Sequence, residues 1–160
     1  MIPVFHFTAY SNTGKTTYLE KLIAELTGRG VRVAAVKHDA HKLELDKPGK
    51  DSWRFAQAGA ETVAVSSAEK CAVMIYRPME LEEILSHIRG VDLVLVEGWH
   101  SQAQNLIVLY RSGSGQGLRA DPAGCLAVVS DVPLDTGGAP LFPLDDVVPM
   151  ADFLLEKSKV

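Results

Sequence analysis

The chain has 160 residues, of which 47% are hydrophobic and 22% are charged, and its formal net charge is −4. These values are typical of one globular domain that buries a sizeable core. The acidic balance argues against a general nucleic-acid binder, which shows a basic face. No basic leader opens the sequence, and no apolar run approaches the roughly 18 residues that a membrane span needs. We therefore expect a cytoplasmic protein that binds neither nucleic acid nor membrane.

Short apolar runs alternate with amphipathic segments along most of the chain. Strands are predicted at 2–7, 31–37, 62–66, 72–76, 91–96, 106–110 and 126–129. Helices are predicted at 15–29 and 80–89 from apolar residues spaced as one helical face. A capping residue and a following glycine predict a helix at 51–58, and a terminal helix is expected at 151–157. This alternation predicts an α/β fold: a P-loop NTPase-like three-layer sandwich with a mainly parallel sheet. We expect residues 1–160 to form a single nucleotide-binding domain.

The strongest signal is the motif Thr8-Ala-Tyr-Ser-Asn-Thr-Gly-Lys-Thr-Thr17, which follows the first strand and opens the first helix. In a P-loop, backbone N–H groups surround the phosphates, the lysine reaches the β and γ phosphates, and a hydroxyl can bind Mg²⁺. Lys15 and Thr16 take these roles here. The predicted nucleotide-binding residues of the loop are Ser11, Asn12, Thr13, Gly14, Lys15, Thr16 and Thr17.

An acidic residue ends the predicted strand Val91-Asp-Leu-Val-Leu-Val96. This residue, Glu97, lies at the carboxyl end of the strand, where ligands of open α/β sheets bind and where P-loop proteins place an acid beside Mg²⁺. We predict a catalytic and metal-binding role for Glu97. The alternative is a carboxylate that merely begins an exposed loop.

Two further acids follow the second strand in the segment Asp46-Lys-Pro-Gly-Lys-Asp51. Asp46 is predicted to act in catalysis and to contact the metal, and Asp51 to act in catalysis by positioning the attacking water. The alternative for Asp51 is an N-cap of the helix that begins near it, a position that Ser52 can also take. His38 and His41 are a weaker metal pair, because this segment does not show a helical pattern.

Taken together, four blocks resemble the molybdopterin-guanine dinucleotide biosynthesis protein B (MobB) family. They are Tyr-Ser-Asn-Thr-Gly-Lys-Thr-Thr, Val-Lys-His-Asp-Ala-His, the stretch from Asp46 to Ala60, and Asp-Leu-Val-Leu-Val-Glu-Gly-Trp. The resemblance extends from about Val4 to Arg111, and the block from Asp46 to Ala60 makes it specific. Ala9 and Asn12 replace glycines that are common in the family loop.

The resemblance implies a homodimeric P-loop protein that binds GTP with Mg²⁺ and hydrolyses it slowly. Such a protein assists the molybdenum cofactor guanylyltransferase, the nucleotidyltransferase that joins GMP to molybdopterin, and molybdopterin itself is a further candidate ligand. The family's acidic set would correspond to Asp46, Asp51 and Glu97. The usual Asn-Lys-x-Asp guanine signature is absent. Asp131 is the candidate for base recognition, and a turn-forming Ser-Asp pair is the alternative.

Three other functions stay open from the sequence. The chain could be an adaptor that binds a nucleotide without hydrolysing it. It could be a small-molecule kinase, for which Arg111 and Arg119 beside the Gly/Ser-rich segment 112–124 are the candidate lid residues. A metal-delivery GTPase would need a larger cluster of cysteine or histidine than His38 and His41 provide.

Overall fold

The computed structural model describes residues 2–38, 43, 45–99 and 103–158. The described residues form eight strands and four α-helices, with two short 3-10 turns at Ser112–Ser114 and Pro122–Gly124. The strands are β1 Val4–Thr8, β2 Val33–Lys37, β3 Thr62–Ser66, β4 Cys71–Ile75, β5 Leu93–Glu97, β6 Leu106–Tyr110, β7 Ala127–Ser130 and β8 Leu141–Pro143. The helices are α1 Lys15–Gly28, α2 Asp51–Gln57, α3 Leu81–His87 and α4 Val148–Ser158.

The chain divides into two compact units, with residues 1–38 and 88–160 in the first and residues 39–87 in the second. We describe each unit by itself. That residues 1–160 form a single nucleotide-binding domain stays a prediction. No helix in the described ranges is long and apolar enough to cross a membrane.

The first unit is built on a six-stranded sheet in the order β2-β5-β1-β6-β7-β8. Every neighbouring pair in it is parallel. β1 therefore lies between β5 and β6, and the carboxyl ends of these three strands meet at one edge. From β1 the chain continues through α1 to β2, which lies on the β5 side of β1, whereas β6 lies on the opposite side of β1. Such a change of direction creates the crevice in which α/β sheets bind ligands.

One face of this sheet packs against α1 and α4. Alternate strand residues such as Phe5, Phe7 and Leu95 form a continuous core with Leu22 of α1 and Leu154 of α4. Side chains alternate between faces along a strand, so the intervening residues point the other way. Several of these are also buried, among them Thr8, Val94, Val96, Val108 and Val128. Burial on both faces explains the near-continuous apolar runs in the sequence.

The second unit contains α2, α3 and the pair β3–β4, which is antiparallel. The connection between these strands is short: Ser67 N–H donates to the Lys70 carbonyl, and the Ser67 hydroxyl oxygen accepts from the backbone N–H groups of Glu69 and Lys70. A turn this tight permits only antiparallel pairing. The sequence analysis predicted both strands but not this separate hairpin.

Two elements at the end of the chain differ from the predicted ones. β8 was not predicted, since it has three residues and ends in Pro143, which an edge strand tolerates. α4 begins at Val148 rather than at Ala151. The Asp146 carboxylate accepts from the Val148 N–H and Pro149 fits the first turn, so the helix begins earlier than its apolar pattern indicates.

Candidate functional site

The loop between β1 and α1 carries the predicted phosphate-binding motif. Ala9 continues the strand direction and is 1% exposed. Asn12, with φ of 66°, has the only positive φ among the non-glycine residues that the structure describes. Ala9 therefore does not occupy a position that requires glycine, and asparagine tolerates the left-handed conformation better than most residues.

Gly14 ends the loop in a left-handed conformation with φ of 91°. Its carbonyl accepts from the Tyr18 N–H at 2.9 Å and so begins the hydrogen bonding of α1. A Cβ built on Gly14 would lie 3.2 Å from the Arg111 guanidinium. Glycine is needed at this position both for the backbone conformation and for the close approach of that guanidinium.

A cavity of about 330 Å³ opens beside this loop. It is lined by Glu97 and by eight consecutive residues of the loop and the start of α1, namely Tyr10, Ser11, Asn12, Thr13, Gly14, Lys15, Thr16 and Thr17. The fold thus brings the seven predicted loop residues and Glu97 to one place. The amino end of α1 opens into the same cavity, and its unpaired N–H groups favour an anion.

Lys15 and Glu97 form an ion pair across the cavity, with 3.4 Å between the Lys15 Nζ and a Glu97 carboxylate oxygen. Their side chains are 18% and 15% exposed, so the pair is partly shielded from water. Register explains the contact, because Glu97 at the end of β5 lies opposite Phe7 of β1 in the sheet. The carboxylate holds the ammonium group at the loop, where it can be released to a phosphate.

Oxygen donors suitable for Mg²⁺ lie at this cavity: the Thr16 hydroxyl and the Glu97 carboxylate. In the part of the chain that the structure describes, no group of three or more His, Cys, Asp or Glu side chains is placed to hold a metal ion. Mg²⁺ in nucleotide sites is usually held by one or two protein oxygens, and phosphates and waters complete its coordination shell.

Two arginines that follow β6 contact the same loop. The Arg111 Nε donates to the Thr13 carbonyl at 2.9 Å, and an Arg119 amino group donates to the Ala9 carbonyl at 3.1 Å. The Arg119 guanidinium also lies 5.5 Å from the centre of the Tyr10 ring. The sequence analysis considered these arginines only as kinase lid residues. The motif itself gave no signal for them, since they are about 100 residues away.

Asp131 lies just beyond β7 and is not among the residues that line the cavity. Its two carboxylate oxygens accept from the backbone N–H and the hydroxyl of Ser112, at 2.8 and 2.9 Å. These hydrogen bonds, the backbone one above all, lower the pKa of the Asp131 carboxyl. Asp131 therefore fixes the chain directly after Arg111. Each oxygen keeps a lone pair for a further donor.

The remaining predicted acids lie in the second unit. One Asp46 oxygen accepts from the Lys47 N–H at 2.8 Å and from the Ser52 hydroxyl at 3.0 Å. Its other oxygen is buried and has no hydrogen-bond partner among the residues that the structure describes. Such an orphaned oxygen costs free energy unless a ligand satisfies it. Asp46 therefore fits a role toward a cation or a hydrogen-bond donor.

Asp51 is the first residue of α2 and is mostly exposed, with its carboxylate 3.8 Å from Arg54. The alternative reading of Asp51 or Ser52 as N-cap is wrong, because the helix already begins at Asp51 and Lys50 holds the capping position. A carboxylate in the first turn favours the helix through its dipole. His41, the second member of the weaker metal pair, lies outside the described residues.

Comparison with known proteins places this geometry in a family. The family model described as "Molybdopterin guanine dinucleotide synthesis protein B" matches residues 4–131. The chain belongs to the MobB family. The matched range includes the loop between β1 and α1 and the predicted acids Asp46, Asp51 and Glu97. Its last residue is Asp131. The resemblance to the MobB family that four blocks of the sequence indicated is thereby confirmed.

Individual relatives agree with this assignment. The chain is 42% identical to the molybdopterin-guanine dinucleotide biosynthesis adapter protein of Escherichia coli K12, over 98% of the chain and 93% of the relative. The crystal structure of Bacillus subtilis MobB superimposes with a TM-score of 0.76 at 25% identity, covering 98% of both chains. Helicobacter pylori HypB, solved in complex with nickel, shares the fold at a TM-score of 0.55 and 18% identity, over 99% of this chain and 87% of HypB. The predicted α/β P-loop NTPase-like class is confirmed.

Proposed function

We propose that this chain is an adapter in molybdopterin guanine dinucleotide biosynthesis, that it binds GTP with Mg²⁺ on the loop Ala9–Thr17, and that it hydrolyses GTP slowly. The family and the names of the relatives support the adapter role. The observation that carries nucleotide binding is the cavity formed by the complete loop together with the Lys15–Glu97 ion pair. We further propose a cytoplasmic homodimer whose partner is the nucleotidyltransferase that joins GMP to molybdopterin.

In this proposal the loop binds the phosphates by charge and by converging N–H groups. Lys15 exchanges its contact with Glu97 for the β and γ phosphate oxygens, and the amides from Asn12 to Thr16 donate to the same groups. Thr16 and Glu97 would hold Mg²⁺, which supplies charge neutralisation for the phosphates when it is bound. Asp46 and Asp51 are proposed to position the attacking water and, for Asp46, to contact the metal.

The cavity residues also explain why turnover would be slow. Glu97 is the one carboxylate that lines the cavity as the structure describes it, and it is engaged by Lys15. Among the described residues, no histidine lines the cavity. Water attack on the γ-phosphate would then depend on positioning and on charge stabilisation, without a strong base. The same observation favours the second candidate, an adapter that binds the nucleotide without hydrolysing it.

Calorimetric titration with GTP and with ATP, each with Mg²⁺, tests nucleotide binding. Replacing Lys15 with alanine removes a charge-assisted contact worth about 2 kcal/mol, so we expect affinity for GTP to fall about 30-fold. Lys21→Ala is the matched control, because Lys21 is an exposed lysine of the same helix that does not line the cavity. A wild-type chain that binds neither nucleotide would refute the proposal.

Asp131→Asn tests the proposed recognition of guanine in the same titrations. Loss of a carboxylate that accepts from guanine N1–H and the exocyclic amine would weaken GTP and leave ATP unaffected. An equal loss for both nucleotides would show that Asp131 acts by fixing Ser112 and not by reading the base. Phosphate release under single-turnover conditions then separates the slow GTPase from the non-hydrolysing adapter. GMP transfer to molybdopterin, measured with and without the chain, tests the adapter role.

A further inference from the structure

Three carbonyls of the loop between β1 and α1 accept hydrogen bonds from side chains of the first unit. A loop that points its N–H groups at a phosphate must point its carbonyls away from it, and buried carbonyls need hydrogen-bond partners. The Ala9 carbonyl accepts from Arg119, the Tyr10 carbonyl from the Thr13 hydroxyl at 2.9 Å, and the Thr13 carbonyl from Arg111. Two of these three donors are arginines from the segment after β6.

The topology makes this arrangement specific. β1 lies between β5 and β6, so the loop that follows β1 has the end of β5 on one side and the end of β6 on the other. The β5 end supplies Glu97 to Lys15, and the β6 end supplies Arg111 to Thr13. The loop is thus contacted from the β5 side through Lys15 and from the β6 side through the two arginines. Arg119 holds the start of the loop and Arg111 holds its final turn.

Arg111 is itself held in position. The next residue, Ser112, donates its backbone N–H and its hydroxyl to Asp131 after β7, so the chain at Arg111 is anchored to a third strand end. The Arg111 guanidinium lies directly against the Gly14 backbone, where a Cβ would be 3.2 Å away. A planar guanidinium can lie this close to the backbone and still donate to the Thr13 carbonyl.

We infer that Arg111 and Arg119 are positioning residues, two guanidinium clamps that hold the Ala9–Gly14 backbone in its phosphate-binding conformation and add positive charge beside it. This inference deepens the proposed nucleotide site and rests on it. Together with Lys15, the two arginines give the loop three cationic side chains, whereas Glu97 is the one carboxylate among the described residues that line the cavity. Such a balance attracts a polyphosphate.

Hydrogen–deuterium exchange of the nucleotide-free full chain tests the clamps without any ligand. Arg111→Gln and Arg119→Gln should each speed amide exchange about tenfold in peptides that cover residues 8–15, since each removes a charge-assisted hydrogen bond from the loop. Peptides from the β5 interior should keep the wild-type rate. Arg89→Gln is the matched control, because Arg89 is exposed and donates to the neighbouring Ile88 carbonyl instead of to the loop.

Arg111→Lys separates positioning from general destabilisation. A lysine keeps the charge and can bring one N–H to the Thr13 carbonyl, so it should recover part of the protection that Arg111→Gln loses. Loop exchange in Arg111→Gln that equals that of Arg89→Gln would overturn the inference, as would an Arg111→Lys chain that exchanges as fast as Arg111→Gln.

Titration with GTP and Mg²⁺ then links the clamps to ligand binding. Arg111→Gln should weaken GTP about tenfold while Arg89→Gln leaves the affinity unchanged. Loss of loop protection without loss of affinity would overturn the link to binding. A wild-type chain that binds no nucleotide would refute the proposed function, whereas the exchange measurements would still decide whether the arginines hold the loop.

Discussion

Strands β5 and β3 have the same length and similar apolar content but very different surroundings. Four of the five residues of β5 are buried, and the strand lies between β1 and β2 in the large sheet. In β3 one residue of five, Val63, is buried, and the strand pairs with β4 alone. An apolar β-forming run therefore predicts a strand in both units, while the number of neighbouring strands decides how much of it is buried.

The difference in pairing also decides how firmly each strand holds the side chains that it carries. β5 is hydrogen-bonded along both edges, so the side chain at its end, Glu97, is held in place against Lys15. The hairpin leaves large apolar side chains in solvent, including Val65 at 47% and Val73 at 61% exposure. Residues that must meet a ligand with defined geometry are best placed on rigid elements, as they are in the first unit.

The largest expected effect compares the interiors of the two units. Leu22→Ala should lower the free energy of unfolding by about 3 kcal/mol, because Leu22 is fully buried between α1 and the sheet and its truncation leaves a cavity. Val73→Ala on the hairpin should change it by less than about 0.5 kcal/mol. Urea titration monitored by circular dichroism measures both. Equal losses would show that the hairpin is as tightly packed as the sheet.

A second comparison uses two glycines with positive φ on either side of β5. A Cβ at Gly98 would lie 2.5 Å from the His38 carbonyl oxygen, at φ of 98°, whereas Gly90 has φ of 72° and no neighbour within 4 Å. Gly98→Ala should cost about 2 kcal/mol, and Gly90→Ala about 1 kcal/mol from the backbone conformation alone. Gly98→Ala should also weaken nucleotide binding, because the clash moves the end of β5. Indistinguishable unfolding curves for the two variants would contradict the close contact.

The smallest expected effect lies at the amino edge of the large sheet, away from the cavity. Asp92, just before β5, accepts from the side chain and backbone N–H of Arg32, just before β2, and these bonds lower the pKa of its carboxyl to about 2. In the unfolded chain the Asp92 carboxyl has a pKa near 3.8, so as pH falls it is protonated before the Asp92 carboxyl of the folded chain. The contribution to stability is therefore complete above about pH 4 and is lost as pH falls toward 2.

Asp92→Asn should remove that acid-dependent part of the stability. Thermal unfolding between pH 2 and pH 5 should show a shallower decline for Asp92→Asn than for the wild type. Glu20→Gln, an exposed acid of α1, is the control and should follow the wild-type decline. A decline in Asp92→Asn as steep as that of the wild type would mean that the exposed pair is screened by solvent.

The sequence by itself determined the class of the fold, the position of the loop between β1 and α1, and the acid at the end of β5. These depend on local signals: apolar runs of strand length, helical periodicity, and a motif whose residues are adjacent in the chain and so must be adjacent in space. Most predicted elements lie within three residues of the observed ones for the same reason. The family followed from the same local blocks.

Only the tertiary structure decided the contacts between residues that are distant in sequence. β3 and β4 form a separate hairpin because of a short turn, and β8 joins the sheet through pairing with β7 that no periodicity reveals. Arg111 and Arg119 reach the loop because β6 lies next to β1, and Asp131 holds Ser112 because β7 lies next to β6. Strand order is set by packing of the whole sheet, and therefore no local pattern in the sequence specifies these neighbours.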